Sequence, residues 1–359
     1  MDQKRLETLL AAMQRVGASA LHLVPGRAPC LRVHRRMISG EDAPLLAGDV
    51  EELIRDMLFS DHRERLQTKG HVEVLYCSRS GSRYRATIAV RDGSHTLVLR
   101  PVPECPPKLA GLELPEQMSA FAQARCGLVL IAGFFGSGKS TTIAALVDSL
   151  NQDPARHIVT LEQSIDFLHP PAAALLHQRE VGVHVGAAAE GIRQAVALGV
   201  DTIVVTEIAD ANTLDAALTA AESGCLVLGG VEAGSVVGSL AELALLVPVE
   251  QRARLRTRIA RCLRGIAAQS LLQRSHRAGR VPVVEVLVGN PAARTAIRLG
   301  NFQELPGIMQ RCRGLGMQTA DISLRGLLTR HLVSQEEALL HAADRDQVLS
   351  GAMRPAVTR

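Results

Sequence analysis

The sequence predicts an α/β protein, with a large domain on a mostly parallel sheet preceded by a small α+β domain. Three observations predict it. Beyond residue 116, apolar strands alternate with helices; one strand runs into a glycine-rich loop and then a helix; and before the proline-rich stretch Pro101 to Pro115, short strands and helices are punctuated by glycine.

The elements follow in order. Leu6, Leu9, Leu10, Met13 and Val16 recur at helical spacing, and Gly17 suits a helix C-terminus. A short strand, Leu21 to Val24, should follow. Val50 to Leu58 reads as helix, while His71 to Cys77, Tyr84 to Val90 and Thr96 to Val102 read as strands separated by Gly turns. The proline-rich stretch can continue neither sheet nor helix, which makes it a linker. Beyond it come Leu128 to Ala132 (strand), Ser140 to Leu150 (helix), His157 to Leu161 and Thr202 to Thr206 (strands), Leu214 to Ser223 (helix) and Cys225 to Val231 (strand). Such alternation argues for a parallel sheet covered by helices. After Pro248 the chain reads as helical to about residue 347, apart from a strand at Val281 to Val288. The expected boundaries are 1–103 for the first domain, 104–116 for the linker, 117–347 for the second domain and 348–359 for a flexible tail.

The 359 residues suit two cores, since single cores stop growing at roughly 250 to 300 residues. Hydrophobic residues make up 47% of the chain with no Trp, so the cores must be built from Leu, Val, Ile and Ala. No apolar run approaches the roughly 20 residues needed to cross a bilayer, and the start reads as an amphipathic helix instead of a signal peptide, so a cytoplasmic protein is expected. The seven cysteines form no Cys-x-x-Cys pair, which fits free thiols in a reducing compartment and argues against zinc. A net charge of +4 does not demand nucleic acid, and none is expected as a partner.

Gly133, Phe134, Phe135, Gly136, Ser137, Gly138, Lys139 and Ser140 match G-x-x-x-x-G-K-[ST] between strand and helix, the setting a phosphate-binding P-loop requires. The glycines let backbone N–H groups turn around phosphate oxygens, the helix start adds its positive end, and Lys139 adds a point charge. Gly133, Gly136, Ser137, Gly138, Lys139, Ser140 and Thr141 are the candidate nucleotide-binding residues, with the Ser140 hydroxyl as a Mg²⁺ ligand. A chance match on an ordinary strand-to-helix turn is the bland alternative. The two phenylalanines keep their N–H groups, but their bulk should press on a neighbour or on the nucleotide.

In an open parallel sheet, ligands collect outside the carboxyl ends of the strands, so acids there come first. Glu162 and Asp166 follow one strand, Glu207 follows Thr202 to Thr206, and Glu232 follows Cys225 to Val231. Glu207 resembles the acid of a Walker B strand and is the candidate for holding Mg²⁺; a plain surface acid is the alternative.

The chain resembles the PilT-like retraction ATPases of type IV pili, within the wider family of secretion ATPases. The likeness runs from Gly17-Ala18-Ser19-Ala20-Leu21-His22-Leu23 through the P-loop to Ile158-Val159-Thr160-Leu161-Glu162. It continues in Gln178-Arg179-Glu180-Val181-Gly182, Leu218-Thr219-Ala220-Ala221-Glu222-Ser223-Gly224 and Gly316-Met317-Gln318-Thr319. The resemblance implies a RecA-like motor domain and a PAS-like N-terminal domain in a homohexameric ring, where the N-terminal domain of one subunit closes over its neighbour's nucleotide. It implies ATP hydrolysis with Mg²⁺ that drives pilus disassembly and twitching motility. It also implies docking on the inner-membrane platform protein of the pilus, peripheral placement at that membrane, and a paralogous retraction ATPase as a second partner. The segment Pro291 to Arg298 resembles a helix that retraction-type members carry.

Three departures fall in catalytic boxes. The family's I-E-D-P-I-E reads Leu161-Glu162-Gln163-Ser164-Ile165-Asp166, so the residue implied as water-activating base is Asp166, with Glu162 earlier in the same box. A carboxylate drawn back by about 1 Å can cost roughly 10²-fold in rate. G-E-M-R-D becomes Thr206-Glu207-Ile208-Ala209-Asp210, which keeps the Glu and loses the Arg. T-L-H-T becomes Gly230-Val231-Glu232-Ala233, and Glu232 would repel a γ-phosphate unless neutralised, paired or turned away.

Arg83, Arg85 and Arg100 lie in the region from which the family sends arginines across the subunit boundary, and Arg83 and Arg85 are the candidate fingers against a reading as solvated strand residues. Arg254, Arg258 and Arg261 share a helix face opposite Leu255, Ile259, Cys262 and Ile266, and read as solvated or subunit-facing surface. His22 and His177 lack metal-ligand spacing. The expectation is an ATP-driven motor of reduced activity. Its rival is a degenerate paralogue that binds ATP with little or no hydrolysis and acts as an accessory subunit, and a DNA-directed motor is a distant third.

Overall fold

The computed structural model describes residues 3–33, 36–40, 43–103, 105–276 and 279–350. The chain divides into two compact units, one of Met1–Cys105 with Asp166–Leu168, the other of Pro106–Ile165 with His169–Arg359.

In the first unit the elements are α1 (Gln3–Arg15), β1 (Ala20–Leu23), β2 (Cys30–Val33), β3 (Arg36–Ser39), α2 (Ala47–Met57), α3 (Ser60–Lys69), β4 (His71–Cys77), β5 (Arg83–Arg91) and β6 (Ser94–Val102). The strands form one antiparallel sheet in the order β3-β2-β1-β6-β5-β4. Alternation decides its faces. Tyr84, Ala86 and Ile88 of β5 and Leu97 and Leu99 of β6 point to a core shared with Leu6, Leu10 and Met13 of α1 and Val50, Leu53 and Ile54 of α2. Arg83, Arg85 and Thr87 occupy the opposite face of β5, with Arg100 opposite Arg85 on β6. Gly17 ends α1 as expected, in a left-handed conformation at φ 62°. Val16, counted with the apolar stripe of that helix, lies beyond its end and is half exposed. The unanticipated α3 is polar around most of its circumference.

The second unit carries α4 (Gln117–Gln123), β7 (Gly127–Ala132), α5 (Lys139–Leu150), β8 (His157–Glu162), β9 (Leu175–Glu180), α6 (Ala188–Ala197), β10 (Thr202–Val205), α7 (Ala211–Glu222), β11 (Leu226–Val231), α8 (Val236–Leu245), α9 (Arg252–Cys262), β12 (Leu263–Gln273) and β13 (Arg280–Val288). It closes with α10 (Pro291–Leu299), α11 (Leu305–Arg311), α12 (Ala320–Thr329), α13 (Gln335–Leu340) and α14 (Arg345–Leu349). Its sheet has the order β13-β12-β7-β11-β10-β8-β9, parallel throughout except for the β12–β13 pair. Every residue of β7, β10 and β11 is buried, as strands covered on both faces require.

Three expectations need correction here. The helix after Pro248 does not continue through Ile266: α9 stops at Cys262 and the chain turns directly into β12, which pairs with both β7 and β13. The apolar spacing Leu255, Ile259, Cys262 and Ile266 fits a helix, but Ile266, Ala267 and Ala268 are buried between two neighbouring strands, and sheet pairing overrides local periodicity. Arg258 is not a solvated residue. Its guanidinium reaches Asp215 at 2.6 Å and Glu222 at 2.8 Å, tying α9 to α7. The tail does not begin at 348, because α14 reaches Leu349 with Val348 fully buried; residues 351–359 of that expected tail lie outside the described residues.

Candidate functional site

The P-loop leaves the end of β7, where the strand is held on both sides: Ala132 is paired with Val231 of β11 and with Ala268 of β12. The Gly133 N–H donates to the Val231 carbonyl at 3.1 Å, and the Ser137 N–H donates to the Phe134 carbonyl at 3.1 Å, closing the turn. Gly136 and Gly138 take φ of 80° and 87°, a region that side chains disfavour. A Cβ at Gly133 would strike the Ser137 side chain, which packs on the bare Cα. Helix α5 begins at Lys139, so its free N–H groups open into the loop.

Lys139 is half-buried and donates from Nζ to the Gly133 carbonyl at 3.2 Å. Burial holds its ammonium below the usual lysine value, against the opposing pull of Glu207 and then Glu232. Both acids therefore bear on the lysine. Close backbone contact places them: the Ile208 N–H donates to the Gly230 carbonyl at 2.8 Å, and a Cβ at Gly230 would collide with the Thr206 carbonyl. The ends of β10 and β11 are thereby pressed together beside the loop.

The other expected residues are distributed as follows. Ser140 is exposed on the first turn of α5, and Thr141 is partly buried. Glu162 is buried at the end of β8, where its Oε1 accepts from Thr160 Oγ1 at 2.6 Å and Gln178 Nε2 at 2.9 Å. Asp166 belongs to the first unit, where its Oδ1 accepts from Arg85 Nη1 at 2.7 Å. Arg83 is two residues along the same face of β5. Phe134 lies against Gly234, where a Cβ would come within 2.8 Å of its ring, whereas Phe135 is fully exposed. His177 packs edge-on against His157, consistent with a packing role.

Sequence reasoning missed Gln269 and Arg280. Gln269 of β12 donates to the Ser137 carbonyl at 2.7 Å, and Arg280 of β13 donates to the Gly136 carbonyl at 3.0 Å. A single amide between Ile266-Ala267-Ala268 and Leu271-Leu272, with only Ser270 as a second polar residue, was the available signal for Gln269, because a buried polar group must have partners. Beside them lies a cavity of about 290 Å³ lined by Leu112, Leu114, Gly138, Thr141, Leu271 and Arg280. The oxygen donors Ser140 and Glu207 suit a hard cation that keeps most of its waters. Among the described residues, no group of three or more His, Cys, Asp or Glu could hold a metal alone, so phosphate oxygens would have to complete the shell.

A strand, P-loop and helix, flanked by acids at the ends of neighbouring parallel strands, define a P-loop nucleotide-binding protein with a RecA-like sheet. Residues 110–303 match the type II/IV secretion system protein family, and the chain belongs to that family. It is 32% identical over 330 residues to the type IV pilus retractation ATPase PilT of Pseudomonas aeruginosa, covering 92% of this chain and 96% of that protein. It is 33% identical over 314 residues to the Escherichia coli K12 protein YggR, covering 88% and 95%. A crystal structure of the pilus retraction motor PilT with bound ADP superposes with a TM-score of 0.87 at 30% identity, covering 94% of this chain and 97% of that one. Within its family the chain is PilT-like.

Proposed function

We propose that this protein binds ATP with Mg²⁺ at Gly133 to Thr141 and hydrolyses it slowly as a motor of the pilus-retraction class. The observation that carries the reading is Lys139, half-buried at the mouth of a formed P-loop with Glu207 beside it. The likeness to PilT along nearly the whole chain supports the retraction class. The loop would take the nucleotide's phosphates, and Ser140 and Glu207 would hold Mg²⁺, which would supply charge neutralisation there. Glu162 orders the acidic box, and Asp166 orients water in the state where its ion pair with Arg85 is open, which also frees that arginine. Arg83 and Arg85 of one subunit serve the nucleotide of the next in a homohexameric ring, which needs the PAS-like domain 1–103, the linker 104–116 and the motor domain 117–347 to act as separate bodies. Docking is on the platform protein of a pilus at the cytoplasmic side of the inner membrane, alone or beside a paralogous retraction ATPase. Among the described residues no helix is long and apolar enough to cross a membrane.

The presence of Glu232 beside Lys139 favours a second reading, in which ATP is bound but hardly turned over and the chain serves as an accessory subunit. Calorimetry with Mg·ATP, together with steady-state phosphate release, separates the two. The motor reading expects binding and turnover, both lost in Lys139→Ala; binding without turnover selects the accessory reading. Equal affinity in wild type and Lys139→Ala would remove the phosphate site itself. Light scattering with an ATP analogue tests the ring, and a strict monomer at high concentration counts against a homohexamer.

A further inference from the structure

Gln269 stands where β12 runs on past the end of its partner β7. The last paired residues are Ala268 and Ala132, so Gln269 comes level with the first residue of the loop, Gly133. It is 4% exposed, and a buried amide that close to a ligand loop must satisfy both its ends. Nε2 donates to the Ser137 carbonyl at 2.7 Å, and Oε1 accepts from Thr142 Oγ1 at 2.8 Å. Thr142 is itself buried on the first turn of α5, where its N–H donates to the Gly138 carbonyl at 3.0 Å. One side chain thus ties the apex of the loop to the first turn of the helix.

We propose that Gln269 is a positioning residue for the nucleotide phosphates: it holds the Ser137 carbonyl turned out of the loop so that the Gly138 N–H points into it. The inference rests on the reading that the loop takes phosphates. In a trans peptide the C=O of one residue and the N–H of the next point to opposite sides of the same plane. Anchoring the Ser137 carbonyl on Gln269 therefore aims the Gly138 N–H at the concavity that cradles an anion. Gly138 fits this role doubly. Its φ of 87° suits glycine, and a Cβ there would come within 2.7 Å of Gln269 Nε2, so the amide reaches the loop only across a bare Cα. Arg280, on the Gly136 carbonyl at 3.0 Å, pins the preceding part of the loop and leaves the 137–138 plane to Gln269.

The test is Mg·ADP affinity of the full chain, by calorimetry, in Gln269→Met, Gln269→Glu, Thr142→Val, Thr142→Ser and Lys139→Ala. Gln269→Met keeps shape without donor or acceptor, and Gln269→Glu sets an acceptor against the Ser137 carbonyl. Each is expected to weaken Mg·ADP by roughly ten-fold or more, the scale of one misaimed hydrogen bond to a charged group. Thr142→Val is expected to lose several-fold and Thr142→Ser, which keeps the hydroxyl, to recover wild-type affinity. In turnover, KM should rise more than kcat falls. A residue that merely supports the fold would lower the thermal midpoint of the free protein and leave the affinity of the folded protein unchanged, and that result overturns the proposal. So does affinity within two-fold of wild type in both Gln269 variants while Lys139→Ala loses binding. If the Gln269 variants do not fold, equal affinities in Thr142→Val and Thr142→Ser overturn it. Unchanged binding in Lys139→Ala would instead dismiss the phosphate reading beneath it.

Discussion

Glu207 and Glu232 both bear on the one lysine of the P-loop, so neutralising Glu232 should tighten ATP binding. The perturbation is Glu232→Gln, which keeps the side chain's size and removes its charge. Lys139 contributes one positive charge against two carboxylates, and the substitution brings this group from a net −1 to zero. Two unit charges about 7 Å apart interact by roughly 2.4 kcal/mol at an effective dielectric constant near 20 and roughly 0.6 kcal/mol in bulk water. Glu232 is exposed while Lys139 is half-buried, which places the effect toward the lower end, at about 1 kcal/mol. That is roughly a five-fold gain in affinity. ATP should gain more than ADP because the γ-phosphate adds charge at the same end of the site. Calorimetric titration of both nucleotides into wild type and Glu232→Gln, at low and high salt, is the assay. The gain should shrink in about 1 M salt, where screening acts within about 3 Å. Unchanged or weaker ATP binding in Glu232→Gln, or a gain indifferent to salt, would refute the electrostatic account.

Three further outcomes are expected. Arg258→Met should lower stability by about 1–3 kcal/mol in urea denaturation, because the guanidinium is 17% exposed and serves Asp215, Glu222 and Thr219 together; a midpoint equal to wild type would mark the cluster as surface decoration. Burial pushes the His169 imidazole down to about 4 from 6.5, so the unfolded chain binds more protons between those values and stability falls as pH drops through that window. His169→Gln should relieve about 1–2 kcal/mol of that acid loss, after allowance for the partly exposed ring, with denaturation at pH 4.5 and 7.5 as the check. Asp166→Glu together with Glu232→His should raise phosphate release above wild type, the first by restoring the reach of the base and the second by removing charge near the γ-phosphate. No gain in either single variant or the pair would separate these residues from the rate-limiting step.

The legible parts of the chain were those whose signals are local. The P-loop announces itself within eight residues, β10 and β11 are short and apolar, and β4 alternates buried and exposed residues after Gly70. What escaped was set by distant partners. β12 follows α9 with no intervening turn, Gly265 lying already inside the strand, and only pairing with β7 and β13 makes it a strand. Gln269 meets Thr142 and Ser137 from 127 and 132 residues away, so no window of sequence contains the contact. Asp166 comes four residues after β8 ends at Glu162, yet its carboxylate pairs with Arg85, 81 residues earlier. In the sequence Gly230 stands out only as a departure from a motif, whereas in the fold it is what lets the ends of β10 and β11 approach so closely.

That close approach links the two departures that matter most for the proposed chemistry. The backbone N–H groups at the start of α5 and Lys139, the parts of the loop suited to phosphates, are intact, so Glu232 would modulate binding without abolishing it. Turnover depends instead on groups that respond to the γ-phosphate and to its loss. A neutral side chain after β11 could donate to that phosphate, whereas Glu232 offers only acceptors and a charge of the same sign. The Glu232 charge acts on Lys139 through space, so a phosphate bound in the loop as proposed would share the lysine's field with it. On the proposed reading, Glu232 would weaken the site most where ATP differs from ADP, which is the difference a motor needs in order to tell the two apart.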